Sequence, residues 1–221
     1  MKKILFSILS LVLLASCSVK TNEEKARDLI EPAIKANLIK PDSYELANMK
    51  LDSCFNGDAN HNAEAAVFGY KLAQLYTKYK ESKREAERAE SAMTIYAPSR
   101  GFYSAHDEQQ YKKFKADWEI AQRKVNAIKE QILNLYKDYK KLFEDVADGK
   151  HEFVGWMAMV SYRAETVGGK QTMGNAVYYL NKDMTEITNS FSDEDVANIE
   201  TSGIEDIQYE FGEELKKVLA D

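Results

Sequence analysis

The chain is poor in residues that cross-link a fold or hold a metal. Its 221 residues include two cysteines, three histidines and three prolines. Two cysteines form one disulfide at most, which excludes a scaffold stapled by several disulfides. The scarcity of proline leaves long stretches of the chain free to form uninterrupted helices.

The three histidines form no recognisable metal or proton-transfer motif. His61, His106 and His151 lie near predicted helix ends or loops, with no second ligand at a metal-binding spacing. His151-Glu152 also lacks the later histidine of a zinc protease helix. We therefore expect ordinary exposed or capping histidines, and we predict no metal and no cofactor.

Motifs for phosphate or nucleophilic chemistry are also missing from the sequence. Gly168-Gly169-Lys170 lacks the glycine spacing and the following Ser or Thr of a phosphate loop, and no Gly-x-Ser-x-Gly elbow occurs. Cys54 has no neighbour that would activate its thiol, so we interpret it as a small, partly buried residue at a strand end. These observations predict that the protein is not an enzyme.

The longest apolar run of the sequence lies at its beginning. Two lysines precede the apolar residues 4–14, and the segment ends in Leu14-Ala15-Ser16-Cys17. A basic start, a short apolar segment and small residues are typical of a secretion signal, and the segment is too short to span a membrane. Residues 14–17 resemble the lipobox of bacterial lipoproteins. The resemblance implies cleavage before Cys17, acylation of that cysteine with palmitate or similar chains, and attachment to a membrane.

Residues after the lipobox indicate which membrane surface carries the protein. In lipoproteins of the kind it resembles, a serine at the position of Ser18 usually leads to the outer membrane. Some surface-exported lipoproteins carry a dense acidic run right after the cysteine, whereas here acidic residues begin only at Glu23. The resemblance thus implies an outer-membrane anchor facing the periplasm, with surface exposure as the alternative. Removing residues 1–16 takes away two lysines and leaves 28 basic against 36 acidic residues, which argues against nucleic acid as a partner.

A helix and a strand are predicted first along the mature chain. A capping-box pattern at residues 21–24 predicts a helix start, and Pro32 is expected to kink or divide that helix. Residues 43–55 alternate between apolar and polar with a slip near Asn48, which predicts a strand. Residues 56–58 form the turn that ends it.

Two heptad seams dominate the middle of the chain. Apolar residues recur at alternating spacings of three and four over residues 65–93 and again over 111–146, and residues 97–101 break the pattern between them. The pattern predicts an antiparallel coiled-coil hairpin, whose second helix reaches roughly 50 Å at ~1.5 Å per residue. We interpret the charged stretch 78–90 as a solvated face, with a docking surface as the alternative. The seams are Ala65, Phe68, Leu72, Leu75, Tyr79, Ser82, Ala86, Ala89 and Met93, then Tyr111, Phe114, Trp118, Ala121, Val125, Ile128, Ile132, Leu135, Tyr139, Leu142 and Val146.

Strand periodicity begins after Gly149, a predicted helix cap. Residues 153–163 are apolar on both faces, which predicts a central strand covered by helices on at least one side. Turns predict two further strands, over residues 176–180 and around 184–188. Two C-terminal helices follow, the first capped at Ser192-Asp193-Glu194-Asp195 and the second marked by Ile204, Ile207, Phe211, Leu215 and Val218.

Arg163 is the candidate ligand-binding residue of the predicted sheet. It lies in an otherwise apolar strand and is expected near Glu45 or Asp52. Two interpretations are open: an ion pair at a sheet edge, or a groove in which the arginine holds an anionic ligand. In the second case, Arg163→Ala abolishes ligand binding while the melting temperature barely moves.

Several short segments resemble a group of small lipoproteins and secreted proteins from Bacteroidetes. The segments are Pro41-Asp42-Ser43-Tyr44-Glu45, Asp52-Ser53, Tyr162-Arg163-Ala164 with Gly168-Gly169, and Asn175-Ala176-Val177-Tyr178. No activity is attached to that group. The resemblance implies one sheet built from residues 44–54 and 153–188 and interrupted by the helical hairpin.

These patterns together predict an α+β fold, in which a small antiparallel sheet of about three to four strands carries flanking helices and a long inserted helical hairpin. The predicted organisation is a signal peptide (1–16), a lipidated tether (17–22), a helix and strand (23–58), the hairpin insertion (59–148) and a β-meander with C-terminal helices (149–221). The last segment is expected to form one domain with residues 23–58.

The expected function is binding rather than catalysis. We predict a lipid-anchored envelope protein that acts as a binding or scaffold module and meets an envelope protein partner at its helical hairpin. Two alternatives remain open: a small-ligand carrier that uses the sheet face near Trp156 and Arg163, and a hydrolase that uses scattered carboxylates.

Overall fold

The computed structural model describes residues 20–58, 61–98, 104–144, 151–201 and 203–220, and in these residues it confirms the predicted α+β class. The expectations for Val146, Gly149 and residues 99–101 lie outside the described residues. A 3₁₀ turn at Pro41–Ser43 precedes the first strand. The elements are α1 (Asn22–Ala36), β1 (Glu45–Phe55), α2 (Ala63–Ile95), α3 (Ala105–Glu144), β2 (Phe153–Glu165), β3 (Gln171–Leu180), β4 (Ile187–Ser192), α4 (Asp193–Thr201) and α5 (Ile204–Ala220).

The four strands form one antiparallel sheet in the order β1-β2-β3-β4. β2 lies between β1 and β3, as its two apolar faces predicted. The slip in alternation is a register shift between Leu46 and Asn48, where β1 carries an extra residue. Because α2 and α3 connect β1 to β2, the long hairpin is inserted between two neighbouring strands of the sheet.

The turn before β4 differs from its prediction. A strand was expected around residues 184–188, but β4 begins only at Ile187. The Asn181 side-chain oxygen accepts a hydrogen bond from the Thr185 backbone N–H at 2.8 Å, and Met184 takes a positive φ of 53°. The asparagine thus holds the chain in a longer turn, so the strand starts later. β3 is also longer than predicted, because it pairs with β2 from Gln171 onward.

α1 is a single helix that starts with the predicted capping box. The Thr21 hydroxyl accepts from the Glu24 N–H at 3.2 Å, and the Glu24 carboxylate accepts from the Thr21 N–H at 2.7 Å. The helix continues through Pro32 and is not divided there. Pro32 lies on the exposed side, where solvent can satisfy the carbonyl that loses its partner.

Helices cover both faces of the sheet. On the first face α1 packs against the centre of β2 and the end of β3; on the second face, the start of α2 and α4 cover a smaller cluster. The buried residues of the first face are Ala26, Ile30, Ile34, Ala158, Val160, Tyr178 and Leu180, and those of the second are Cys54, Met157, Tyr179 and Phe191.

The base of the hairpin is a bundle of three helices, because α5 packs against α2 and α3. The Phe211 side chain is 1% exposed, and its ring centroid lies 4.9 Å from that of Tyr79. The Gln208 amide donates to the Tyr136 hydroxyl at 2.6 Å. Tyr136 is buried although it lies beside the predicted seam, since its contact is with α5. None of the helices in the described part of the chain is long and apolar enough to cross a membrane.

Candidate functional site

The far half of the helical hairpin is the candidate interaction surface. We define the distal arm as residues 87–95 of α2 and 105–121 of α3. The α5 residues named above contact the hairpin closer to the sheet, at Tyr79 and Tyr136. Within the distal arm no described residue is buried, and its seam residues are at best half-buried. The distal arm is therefore a two-helix projection without a closed core of its own.

Local contacts keep the two helices of the distal arm together. Tyr96, the cap that ends α2, stacks its ring on that of Phe114 in α3, with centroids 5.6 Å apart and planes 15° apart. At the level where the distal arm begins, Lys124 forms a 3.1 Å ion pair with Glu85 on the other helix. At the start of α3, the Ser104 hydroxyl and backbone N–H bind the Asp107 carboxylate and lower its pKa. The arm is thus a defined surface, although it lacks a core.

Apolar side chains on the distal arm face outward among charges of both signs. Ile95 is 60% exposed and Ile120 is 58% exposed. A shallow groove on α2 brings Ile95 together with Arg84, Glu87 and Arg88. Such a groove suits an apolar side chain of a partner, with charged groups at its rim.

A second concave feature lies at the end of the sheet. This cavity of about 350 Å³ opens between the ends of β1 and β3, the start of β2 and the start of α2. Asn62 lies in its wall and caps α2, since its side-chain oxygen accepts from the N–H groups of Glu64 at 2.8 Å and Ala65 at 3.2 Å. The other lining residues are Cys54, Asn56, Ala63, Val154, Gly155, Trp156, Tyr179, Leu180, Asn181, Thr188 and Asn189.

Cys54 lines this cavity with an uncharged thiol. The side chain is 2% exposed, and burial, followed by the nearby carboxylates of Asp58 and Asp52, raises the pKa of the thiol to about 12. A protonated thiol is a poor nucleophile and a poor metal ligand. Cys54 therefore presents a protonated thiol to the cavity near neutral pH.

Arg163 lies at the opposite end of β2 from the cavity. The register pairs it with Glu45, and its Nη1 lies 3.6 Å from Glu45 Oε1, whereas Asp52 pairs with Met157. The two side chains are 47% and 59% exposed, so the ion pair is screened by water. Since Trp156 borders the cavity, Arg163 and Trp156 do not share one site. An anion-binding role for Arg163 stays a prediction.

His61 and His151 lie around the turn that follows β1, and His106 lies on the hairpin. His61 Nδ1 lies 2.8 Å from Asp58 Oδ2, and His151 Nδ1 lies 3.2 Å from the Asn56 carbonyl oxygen. His106 is exposed in the first turn of α3. Over the ranges that the structure describes, no group of three or more His, Cys, Asp or Glu residues is placed to hold a metal ion.

Two features of these sites were missed in the sequence. Asn62 was not recognised as a helix cap, although an asparagine just before Ala63-Glu64 is a common start signal. The cavity has no sequence signal, because its walls come from segments far apart in the chain.

Comparison with known proteins identifies one feature, a lipid attachment site at the N-terminus. The family description "Prokaryotic membrane lipoprotein lipid attachment site" matches residues 1–18. The chain is thus a lipid-anchored lipoprotein of the cell envelope, with an α+β body and a projecting helical arm. Cys17, the predicted lipidation site, lies within the match and outside the residues described by the structure. No curated protein and no solved structure matches the chain.

Proposed function

We propose that this lipoprotein is a non-catalytic docking module, anchored in the outer membrane on its periplasmic face, whose distal arm binds another envelope protein. The observation that carries the proposal is the absence of any buried residue among the described residues of the distal arm. A solitary helical pair of this kind leaves its apolar seam half open. Binding of a partner supplies the burial that the arm lacks.

A helix of the partner fits the exposed side of the distal arm best. At the base, α5 already shows how a third helix packs, with Phe211 inserted next to Tyr79 and flanked by the 2.7 Å ion pair of Lys83 and Glu210. The distal arm continues the same two helices beyond α5. A partner helix with an apolar stripe and mixed charges would repeat this arrangement toward the tip.

The test is photo-crosslinking in intact cells with the crosslinker placed at single positions. Glu87 and Lys115 report on the distal arm, since both are exposed there. Lys83 is a poor reporter, because it is held by Glu210 on α5. Tyr209, which is 92% exposed on α5, serves as the matched control. We expect one dominant protein adduct from Glu87 and Lys115 and none from Tyr209.

Equal adducts at all three positions, or none at Glu87 and Lys115, would contradict a docking arm. Ile120→Lys provides a second readout, because Ile120 is 58% exposed and we expect its substitution to leave the folded body intact. We expect this variant to reduce the adduct at Lys115 severalfold if the apolar side of the arm carries the contact.

The cavity at the end of the sheet supports a second candidate function, that of a small-ligand carrier. Its volume of about 350 Å³ lies at the lower end of the usual range for ligand sites. Its polar lining is rich in carboxamides and, with a neutral Cys54 thiol, favours an uncharged polar molecule. Native mass spectrometry of protein released from membranes is expected to show a bound molecule of low mass. A single mass equal to that of the acylated chain would show that no molecule is bound, and it would contradict the carrier function.

A further inference from the structure

A partly exposed aromatic patch lies at the end of the sheet where β1 stops and β2 begins. We define the aromatic patch as Phe55, Phe153, Val154 and Trp156. The ring of Phe153 lies 6.0 Å from that of Phe55 and 5.2 Å from that of Trp156, so the three rings form a continuous row. Phe55 is 37% exposed and Val154 is 38% exposed. Phe153 and Trp156 are half-buried, so the patch is a partly exposed apolar surface.

The orientation of α1 places its first turn at this same end of the sheet. At the C-terminal end of α1, the Lys35 ammonium lies 5.4 Å from the ring centroid of Tyr44, which itself packs 5.9 Å from Tyr162 near the end of β2. Ala26 is fully buried in a cluster that also holds Leu180 and Trp156, at the opposite end of β2 and β3. Among the described helices only α1 contributes to this cluster, so we infer that its N-terminal half covers that end of the sheet. That opposite end carries the aromatic patch, and Trp156 packs against the same cluster as α1.

The link between the anchor and the folded body is short. Only residues 18–20 separate Cys17 from Thr21, the cap of α1. Because an extended chain advances at most about 3.6 Å per residue, Cys17 lies within about 14 Å of the start of α1. Acyl chains attached to Cys17 therefore hold this end of the sheet next to the lipid headgroups.

We propose that the aromatic patch inserts into the interface of the anchoring membrane and forms a second, non-covalent contact that orients the protein. Trp and Phe side chains favour the headgroup region of a bilayer, where their rings are buried and polar groups stay hydrated. The Trp156 indole N–H donates to the Lys182 carbonyl oxygen at 3.2 Å, which fixes the ring and satisfies its polar atom. The chain carries more acidic than basic residues, so the contact depends on apolar insertion and does not require anionic lipids.

The two tryptophans of the chain provide a direct test, since Trp118 lies on the distal arm and Trp156 in the patch. The acylated protein is reconstituted into phosphatidylcholine vesicles that contain phosphatidylcholine brominated on its acyl chains. Trp118→Phe leaves Trp156 as the only tryptophan, and Trp156→Phe leaves Trp118; excitation at a wavelength that tyrosine does not absorb restricts the signal to that residue. We expect Trp156 to be quenched at least about twofold more strongly than Trp118. Equal quenching of both tryptophans would overturn the proposal. It would mean that the acyl chains attach the protein to the membrane without orienting it.

A matched pair of valines tests the patch in the chain that retains both tryptophans. Val154 lies in the patch, whereas Val167, which is 75% exposed, lies in the turn at the far end of β2. Val154→Asp is expected to lower the quenching by brominated lipid, and Val167→Asp to leave it unchanged. The same loss in both variants, or in neither, contradicts insertion of the patch. Circular dichroism confirms that each variant is folded before the comparison.

Discussion

At the scale of single residues, the environment of Cys54 sets its chemistry. Acylation of Cys17, which the lipid attachment match predicts, would leave Cys54 as the only free thiol of the processed chain. The side chain is buried between the sheet and the start of α2, where the charged form is penalised. We expect an Ellman assay at about pH 8 to show modification at least about a hundredfold slower in the folded than in the urea-unfolded protein. Rapid modification of the folded protein would mean that the cavity exposes the sulfur.

The raised pKa values of Cys54, Tyr178 and Tyr179 predict a loss of stability at alkaline pH. Burial raises the pKa of Cys54 from 9.0 to about 12, and burial likewise raises the pKa values of Tyr178 and Tyr179 from 10.0 to about 12. Because the folded-state values lie above the unfolded ones, the stabilisation is complete below about pH 9 and is lost as the pH rises toward 12. Urea titrations at increasing pH are expected to show a falling free energy of unfolding. Tyr179→Phe should make that fall shallower, and an unchanged slope would contradict the assignment.

At the scale of the elements, α5 is held by one central side chain. Phe211 is 1% exposed among the rings of Tyr76 and Tyr79, whereas Tyr209 on the same helix is 92% exposed. We expect Phe211→Ala to lower the free energy of unfolding by about 3–5 kcal/mol, through lost burial and a remaining cavity. Tyr209→Ala is the control and should cost no more than about 0.5 kcal/mol. Urea denaturation measures both, and similar losses would show that α5 does not depend on this contact.

At the scale of the whole molecule, the fold separates an anchored body from a projecting arm. α2 begins beside the cavity at Ala63 and passes Phe191, whose ring lies 5.8 Å from that of Tyr70, before it leaves the sheet. It therefore runs away from the end of the sheet where the cavity and the aromatic patch lie, which is the end that we propose to face the membrane. At a rise of about 1.5 Å per residue, the 33 residues of α2 span about 50 Å. The last residue of α2, Ile95, thus lies about one helix length away from the cavity end of the sheet.

This separation predicts that the distal arm can be removed without unfolding the protein. Replacement of residues 88–120 by a short Gly-Ser turn removes no described buried residue, and α5 still covers the base of the hairpin. We expect the free energy of unfolding to change by no more than about 2 kcal/mol, while the crosslinked adduct disappears. Urea denaturation and crosslinking from position 87 measure the two effects. Unfolding of the shortened chain would show that the arm is structural.

The sequence by itself determined the elements, because their signals are local. The lipobox at residues 14–17, the capping box at Thr21, the heptad spacing of α2 and α3, and the two apolar faces of β2 all depend on neighbours within a few residues. For the same reason, the register shift next to Asn48 was visible as a broken alternation. Position-by-position patterns of this kind sufficed for the α+β class.

Only the tertiary structure decided how these elements combine. The docking of α5 on the hairpin, the burial of Tyr136, the cavity beside Cys54 and the gathering of Phe55 with Trp156 join residues from distant parts of the chain. The length of the turn before β4 was decided by a side chain of Asn181 that bonds to the backbone. Such contacts depend on which surfaces remain uncovered once the sheet and hairpin have formed. The periodicity of apolar residues along the chain does not indicate which surfaces these are.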